Sequence, residues 1–303
     1  AMVLYQKRLV SSIHAIRKSL KNRMQSIQAG GADPSDLSQL TRSLLSQYRE
    51  DPELLTDAQR EKVETELGGV AASSDPKKIQ QELSIVRDLY DQAKAIDVDS
   101  KAEQLREFVD GILDEEPDEK ILVFTEYTDT LEYLRDRVFS NYDVAQIYGD
   151  LSQSERQHQL TKFEEEANIM LATDAAREGL NLQFAHIMAN YDLPWNPTRI
   201  DQRIGRLHRY GQDQTVKIRN LFIEDTRESK ILQLLMEKIE EIEDTLGVSS
   251  DVLGLVLENV DLEQQIMTAI EQKDSADEIS RNIDEIVEEQ EEAVKREIGR
   301  AHV

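Results

Sequence analysis

The chain has 303 residues, with 61 acidic and 36 basic side chains, a formal net charge of −25 and no cysteine. That length allows one or two domains, and the lack of cysteine excludes a disulfide framework, a thiolate zinc site and a cysteine nucleophile. No run approaches ~18 consecutive apolar residues and no secretory signal is present, so the expected location is the cytoplasm, not a membrane.

Arginine outnumbers lysine, 21 to 15. Acidity on this scale suits a salt-adapted cytoplasm, where at ~1 M salt the Debye length is only ~3 Å and self-repulsion is screened. The duller alternative is an acidic tail domain in an ordinary organism.

Residues 1–32 carry six bases (Lys7, Arg8, Arg17, Lys18, Lys21, Arg23) and no acid. Leu4, Leu9, Ile13, Ile16, Leu20, Met24 and Ile27 keep helical spacing, which predicts one amphipathic basic helix ended by Gly30-Gly31. Residues 33–117 predict further helices, punctuated at Asp33-Pro34, Asp51-Pro52, Gly68-Gly69 and Asp75-Pro76. The acidic string Asp114-Glu115-Glu116-Pro117 follows a helical pattern and precedes a strand. It reads as a charged loop, because a magnesium-holding acidic motif follows an apolar strand.

From residue 118 the pattern changes. Lys120–Thr125 is a short apolar run with β-branched and aromatic residues, which predicts a buried parallel strand. Leu131, Leu134 and Val138 return to helical spacing. Val144–Tyr148 predicts a second strand. Ser152 and Glu155 form a capping box that opens a helix ending near Phe163. Asn168–Ala172, His186–Tyr191 and Val216–Phe222 predict three more strands. Strands alternating with helices imply an α/β domain with a doubly wound parallel sheet. Ligands of such sheets sit outside the carboxyl ends of the strands. The polar segments here follow the strands: Thr125-Glu126, Gly149-Asp150, Thr173-Asp174 through Asn181, and Asp192 through Pro197.

Between the fourth and fifth strands, Arg203, Arg206 and Arg209 recur every three residues, so on a helix Arg206 and Arg209 share a face. Clustered guanidinium groups suit a phosphate through forked, charge-assisted hydrogen bonds. Alone, the pattern reads more simply as a solvated basic face. The five histidines show no ligand spacing, and His208 reads as a helix-face residue. Residues 226–298 are helical and acidic in pattern, with 11 acids against 4 bases from Glu271 to Glu297. This tail reads as a solvated helix or as a site for a protein partner. The expected organisation is a helical segment with its basic helix over 1–117, the α/β domain over 118–225 and an acidic helical extension over 226–303.

The ordered segments resemble the second RecA-like lobe of superfamily 2 helicases of the Swi/Snf type. Within that type they are most similar to the group containing the bacterial RNA-polymerase-associated ATPase and related prokaryotic proteins. The matching residues are Ile-Leu-Val-Phe-Thr-Glu-Tyr (121–127), Tyr-Gly-Asp-Leu-Ser-Gln-Ser-Glu-Arg (148–156), Ala-Thr-Asp-Ala-Ala-Arg-Glu-Gly-Leu-Asn-Leu (172–182), Tyr-Asp-Leu-Pro-Trp-Asn-Pro (191–197) and Gln-Arg-Ile-Gly-Arg-Leu-His-Arg-Tyr-Gly-Gln (202–212). Asp-Leu-Pro-Trp-Asn-Pro followed by Gln-Arg-Ile-Gly-Arg separates the chain from DEAD-box RNA helicases. Residues 9–20 also resemble the segment that follows the first lobe in this group.

The resemblance implies a RecA-like, doubly wound, mainly parallel sheet with helical extensions at both ends. It implies an ATP hydrolase of the helicase or translocase type, acting on duplex DNA. No G-x-x-x-x-G-K-[ST] sequence occurs, so the phosphate loop and the acid that holds Mg2+ are expected on a first lobe outside this sequence. Ala1-Met2 resembles a cloning scar, and the chain alone is expected to be inactive. ATP with Mg2+ is the implied cofactor, and the first lobe an implied partner.

By the same resemblance, Arg206 and Arg209 are expected in the catalytic role of arginine fingers. Gln202 orients them or contacts nucleotide, and Arg203 faces either the same target or the sheet. Asp174, Gly179 and Asn181 form the family's fifth motif. There Gly179 allows close backbone approach or positive φ, and Asp174 meets the ribose or an arginine, or caps the turn. Thr125 and Thr173, with nearby amides, are candidate contacts to the tracked DNA strand. On the basic helix Lys18, Lys21 and Arg23 are candidate DNA contacts, or the helix packs on the missing lobe. Tyr191 and Trp195 read as core. Two other readings stay open: an ATP-gated scaffold for protein interaction, and a fragment of an RNA helicase.

Overall fold

The computed structural model describes residues 2–30, 41, 43–44, 57–70, 75–96, 99–174, 182–194, 198–207, 212–224, 226, 229 and 281. The expected acidic extension therefore lies outside the described residues, apart from isolated positions. The helices are α1 (Met2–Ser11), α2 (Ile13–Gln28), α3 (Asp57–Gly69), α4 (Pro76–Ala95), α5 (Ser100–Glu115), α6 (Thr128–Tyr133), α7 (Gln153–Glu165) and α8 (Thr198–Ile204). The strands are β1 (Ile121–Thr125), β2 (Val144–Ile147), β3 (Ile169–Thr173), β4 (Ile187–Asn190) and β5 (Lys217–Asn220). They fall into two compact units: Ala1–Asp192 with Tyr210–Leu221, and Leu193–Arg209 with Phe222–Val303.

All five strands run parallel in the order β2-β3-β1-β4-β5. The chain leaves central β1 for edge strand β2, returns to β3, passes β1 to β4 and ends at β5. This is the doubly wound arrangement that the sequence predicts. Because every strand points the same way, all carboxyl ends share one edge, and Thr125 stands opposite Thr173 in register. β1, β3 and β4 are buried along their whole length. They accordingly read as continuous apolar runs instead of alternating ones. Edge strand β5 is mostly exposed.

One core joins the sheet to α5 and α6. Leu105 and Val109 of α5 pack with Ile121, Val123, Leu131, Leu134, Ile169, Leu171 and Ile187. α6 continues into a π-helical turn over Leu134–Val138, closed by the Phe139 amide donating to the Leu134 carbonyl at 2.8 Å. α7 opens on the expected capping box: the Ser152 hydroxyl accepts from the Glu155 amide while the Glu155 carboxylate accepts from the Ser152 amide. It anchors through Phe163, which lies 5.4 Å from Phe184, ring centre to ring centre.

The basic segment departs from expectation. It is two helices, broken at Ser12, which is extended (φ −156°, ψ 154°). The Ser12 hydroxyl accepts from the Ala15 amide and so caps α2. Neighbouring serines compete with the backbone for its own donors, and the apolar spacing runs straight through the break. Beyond the break, Ile16, Leu20 and Ile27 of α2 pack against Val86 and Ala93 of α4. Gly30, at φ 103°, follows the end of α2, where a left-handed residue closes many helices.

In the second unit, α8 ends at Ile204, and Gly205–Leu207 form a turn held by the Arg206 amide to the Arg203 carbonyl at 3.1 Å. The helix expected to carry Arg206 thus stops before it, with Arg206 in the turn. Glycine at 205 is a poor helix former, and the helix stops one residue before it.

Candidate functional site

The carboxyl edge of the sheet carries a buried polar network centred on Asp192, just past β4. Its Oδ2 accepts from the Thr125 hydroxyl at 2.5 Å, the Ser11 hydroxyl at 2.8 Å and the Glu126 amide at 3.0 Å. Its Oδ1 accepts from Lys101 Nζ at 3.0 Å. Lys101 also donates to the Val10 carbonyl at 2.7 Å and sits 4.2 Å from the Tyr191 ring centre. Both partners are almost fully buried. A buried charge is tolerated only when paired and hydrogen-bonded. Burial, with Asp99 and Asp192 adding, raises the Tyr191 phenol well above its usual value, so it stays neutral.

A second network lies beside the first. Arg8 binds the Glu64 carboxylate at 2.6 Å and Asp129, and its guanidinium lies 5.0 Å from the Tyr127 ring centre. Burial lowers the Arg8 pKa, but Glu64 and Asp129 outweigh it, and the net direction is up. Burial raises Glu64, against Arg8 and Arg60. Asp129 also takes Lys18, which reaches Glu61 at 3.0 Å. Ser11 and Ser12 both share hydrogen bonds with Thr130, at 2.8 and 2.9 Å. Lys7, Arg8 and Lys18 are thus paired with acids of α3, α6 and the edge of the sheet.

Among the expected site residues, Thr125 and Thr173 come together at the strand ends, but both are fully buried and Thr125 donates to Asp192. Asp174 follows β3 and is buried. Arg23 is buried too: it pairs with Glu82 and donates to the Gly68 and Val70 carbonyls at 2.7 and 2.5 Å. Lys18 is ion-paired, and Lys21 is exposed on α2. In the second unit, Gln202 and Arg206 are half-buried and Arg203 is fully buried. Gly179, Asn181, Arg209, Trp195 and His208 lie outside the described residues. No cluster of three or more His, Asp or Glu among the described residues is placed to hold a metal ion. No helix among them is long and apolar enough to cross a membrane.

Sequence reasoning missed Asp192, Lys101, Arg8 and Asp129 as a connected set. Their side-chain partners lie 56 to 181 residues apart in the chain, beyond any local pattern. The one signal available was the position of Asp192 directly after a buried strand.

Residues 100–211 match the family described as helicase conserved C-terminal domain. Over that stretch the chain resembles the C-terminal lobe of a helicase. The match begins at the first residue of α5 and ends just before β5. Over 172 residues the chain is 37% identical to the uncharacterized ATP-dependent helicase YqhH of Bacillus subtilis, covering 56% of this chain and 30% of that protein. It is 33% identical to the RNA polymerase-associated protein RapA of Proteus mirabilis over 146 residues, 46% of this chain and 15% of that protein. The expected likeness to the Swi/Snf-type group around the RNA-polymerase-associated ATPase holds. The C-terminal part of the Fun30 ATPase domain aligns with a TM-score of 0.42 and 24% identity, covering 57% of each chain. The chain spans under a third of the length of these curated relatives.

Proposed function

We propose that this helicase C-terminal lobe forms half of an ATP-dependent motor that moves along duplex DNA. The observation that carries the reading is the helicase match over residues 100–211, on a parallel sheet whose motif-bearing segments follow the strands. ATP is cleaved against a first lobe that supplies the phosphate loop and holds Mg2+. Arg206 and Arg209 act as arginine fingers on charge that develops at the transferred phosphoryl group. Gln202 orients them, and Asp174, Gly179 and Asn181 meet the nucleotide.

The hydroxyls of Thr125 and Thr173 face inward, so backbone amides at the strand ends make the DNA contact there. Arg23 serves the interior, Lys18 is held by two carboxylates, and Lys21 is the exposed base of the three. The basic helices serve first to fasten α1 and α2 to the sheet.

The test uses the protein with both lobes. Arg206→Ala should cut kcat by ~10²–10⁴ while KM for ATP changes far less, because the guanidinium acts on charge present in the transition state. Lysine should rescue poorly, lacking the planar fork. Exposed Arg219 is the control; fully buried Arg203 is unsuitable, since its loss threatens folding. Near-normal turnover in Arg206→Ala overturns the finger assignment. Stimulation of turnover by RNA but not by duplex DNA overturns the choice of track.

A further inference from the structure

We propose that a cavity at the starts of α2 and α5 and the π-helical turn binds a small polyphosphate anion. The cavity has a volume of about 490 Å³ and lies wholly within the first unit. That is the size of ordinary small-molecule sites, ~300–1,000 Å³. Three guanidinium groups from three different elements line it: Arg17 of α2, Arg106 of α5 and Arg137 of the π-helical turn. None of them has a part in the proposed ATP or DNA contacts.

Arg17 is the residue that most needs a ligand. One of its terminal nitrogens donates to the Ile96 carbonyl at 3.2 Å, while its Nε is buried with no hydrogen-bond partner among the described residues. A buried donor left unmade is costly and calls for an explanation. Among the described residues, Arg106 is held by an exposed pair to Asp110 at 3.5 Å.

The lining arginines outnumber the lining acids, Asp99 and Glu103. Asp99 caps α5 through the Lys101 and Ala102 amides, at 3.2 and 3.4 Å. Its other oxygen takes the Ile13 amide at 3.4 Å and the Tyr191 hydroxyl at 3.3 Å. Its oxygens are therefore already occupied at two helix starts and a phenol, so the lining sets three arginines against Asp99 and exposed Glu103, with Asp110 beside Arg106. Forked guanidinium donors arriving from three sides match the oxygens of a phosphate chain better than a single carboxylate.

The experiment is isothermal titration of the 303-residue chain with sodium pyrophosphate, with circular dichroism to confirm folding of each variant. Saturable binding is expected, weakened about tenfold in each of Arg17→Met, Arg106→Gln and Arg137→Gln, as loss of one charge-assisted hydrogen bond predicts. Arg87→Gln, on the exposed side of α4 and away from the cavity, should bind like the unaltered chain. Absence of saturable binding, or equal weakening in Arg87→Gln, overturns the proposal. Should Arg17→Met fail to fold, the two surface variants decide the matter alone. A short duplex that displaces pyrophosphate would make the cavity a DNA-backbone contact and also overturn it; retention of pyrophosphate beside saturating duplex supports it.

Discussion

Asp192 illustrates how one carboxylate can organise the working edge of a sheet. It joins β1 through Thr125, α1 through Ser11 and α5 through Lys101. Removing one partner of a buried ion pair strands the other charge, at a cost of ~3–5 kcal/mol. Asp192→Ala and Lys101→Met should each lower unfolding stability by about that amount in urea titration. The double variant should be markedly less unstable than the sum, since neither charge is then left alone. Additive losses would mean that the pair is not coupled. His14 offers a separate handle. Burial pulls its imidazole below the usual value; Arg17 and Lys18 push the same way, and Asp129 opposes. The fold therefore resists protonating it, and its contribution is intact above the unfolded value of ~6.5 and lost as pH falls through that value toward the folded one. The melting temperature of the unaltered chain, relative to His14→Gln, should stay level above about pH 7.5 and decline from there toward pH 5. A relative gain over that range would contradict the assigned direction.

At the scale of elements, α5 matters more than its composition suggests. Leu105 is fully exposed to the packing of the sheet core and not at all to solvent. Leu105→Ala should cost ~2–5 kcal/mol, as expected for a cavity in a well-packed core. Measured by chemical denaturation, a loss under ~0.5 kcal/mol, the range of surface changes, would show that α5 is only loosely attached. The strands were legible in the sequence to within a residue or two, and β1, β3 and β4 because buried parallel strands are apolar from end to end and polar immediately afterwards. The Ser152–Glu155 capping box was legible because its partners are three residues apart. The break at Ser12 was not, since it depends on hydroxyls that meet Thr130 more than a hundred residues away. Nor was the inward commitment of Arg23, whose acid lies on α4. A run of bases without acids describes charge along the chain; which acids face it is decided by folding. The stop at Ile204 had a visible cause in Gly205, outweighed in the sequence reading by the three-residue arginine period.

For the whole molecule, chemistry and division of labour are separate matters. The chain contributes a sheet edge, a half-buried Arg206 and acidic fasteners for its own basic helices. Its 303 residues contain no G-x-x-x-x-G-K-[ST] sequence, the backbone cradle and lysine that hold nucleotide phosphates in phosphate-loop ATPases. An arginine finger stabilises charge on a phosphoryl group that something else has already positioned, and positioning supplies much of the catalysis in phosphoryl transfer. The purified chain should therefore hydrolyse ATP no faster than buffer, with or without duplex DNA. Supplying a lobe that carries the phosphate loop, in the same polypeptide, should restore turnover that depends on Arg206 and is stimulated by duplex DNA. Steady-state phosphate release under saturating ATP and Mg2+ distinguishes these outcomes. Strong DNA-stimulated turnover by the 303 residues alone would mean that they bind and position ATP without a second lobe, and the two-lobe reading of Arg206 would fall with it.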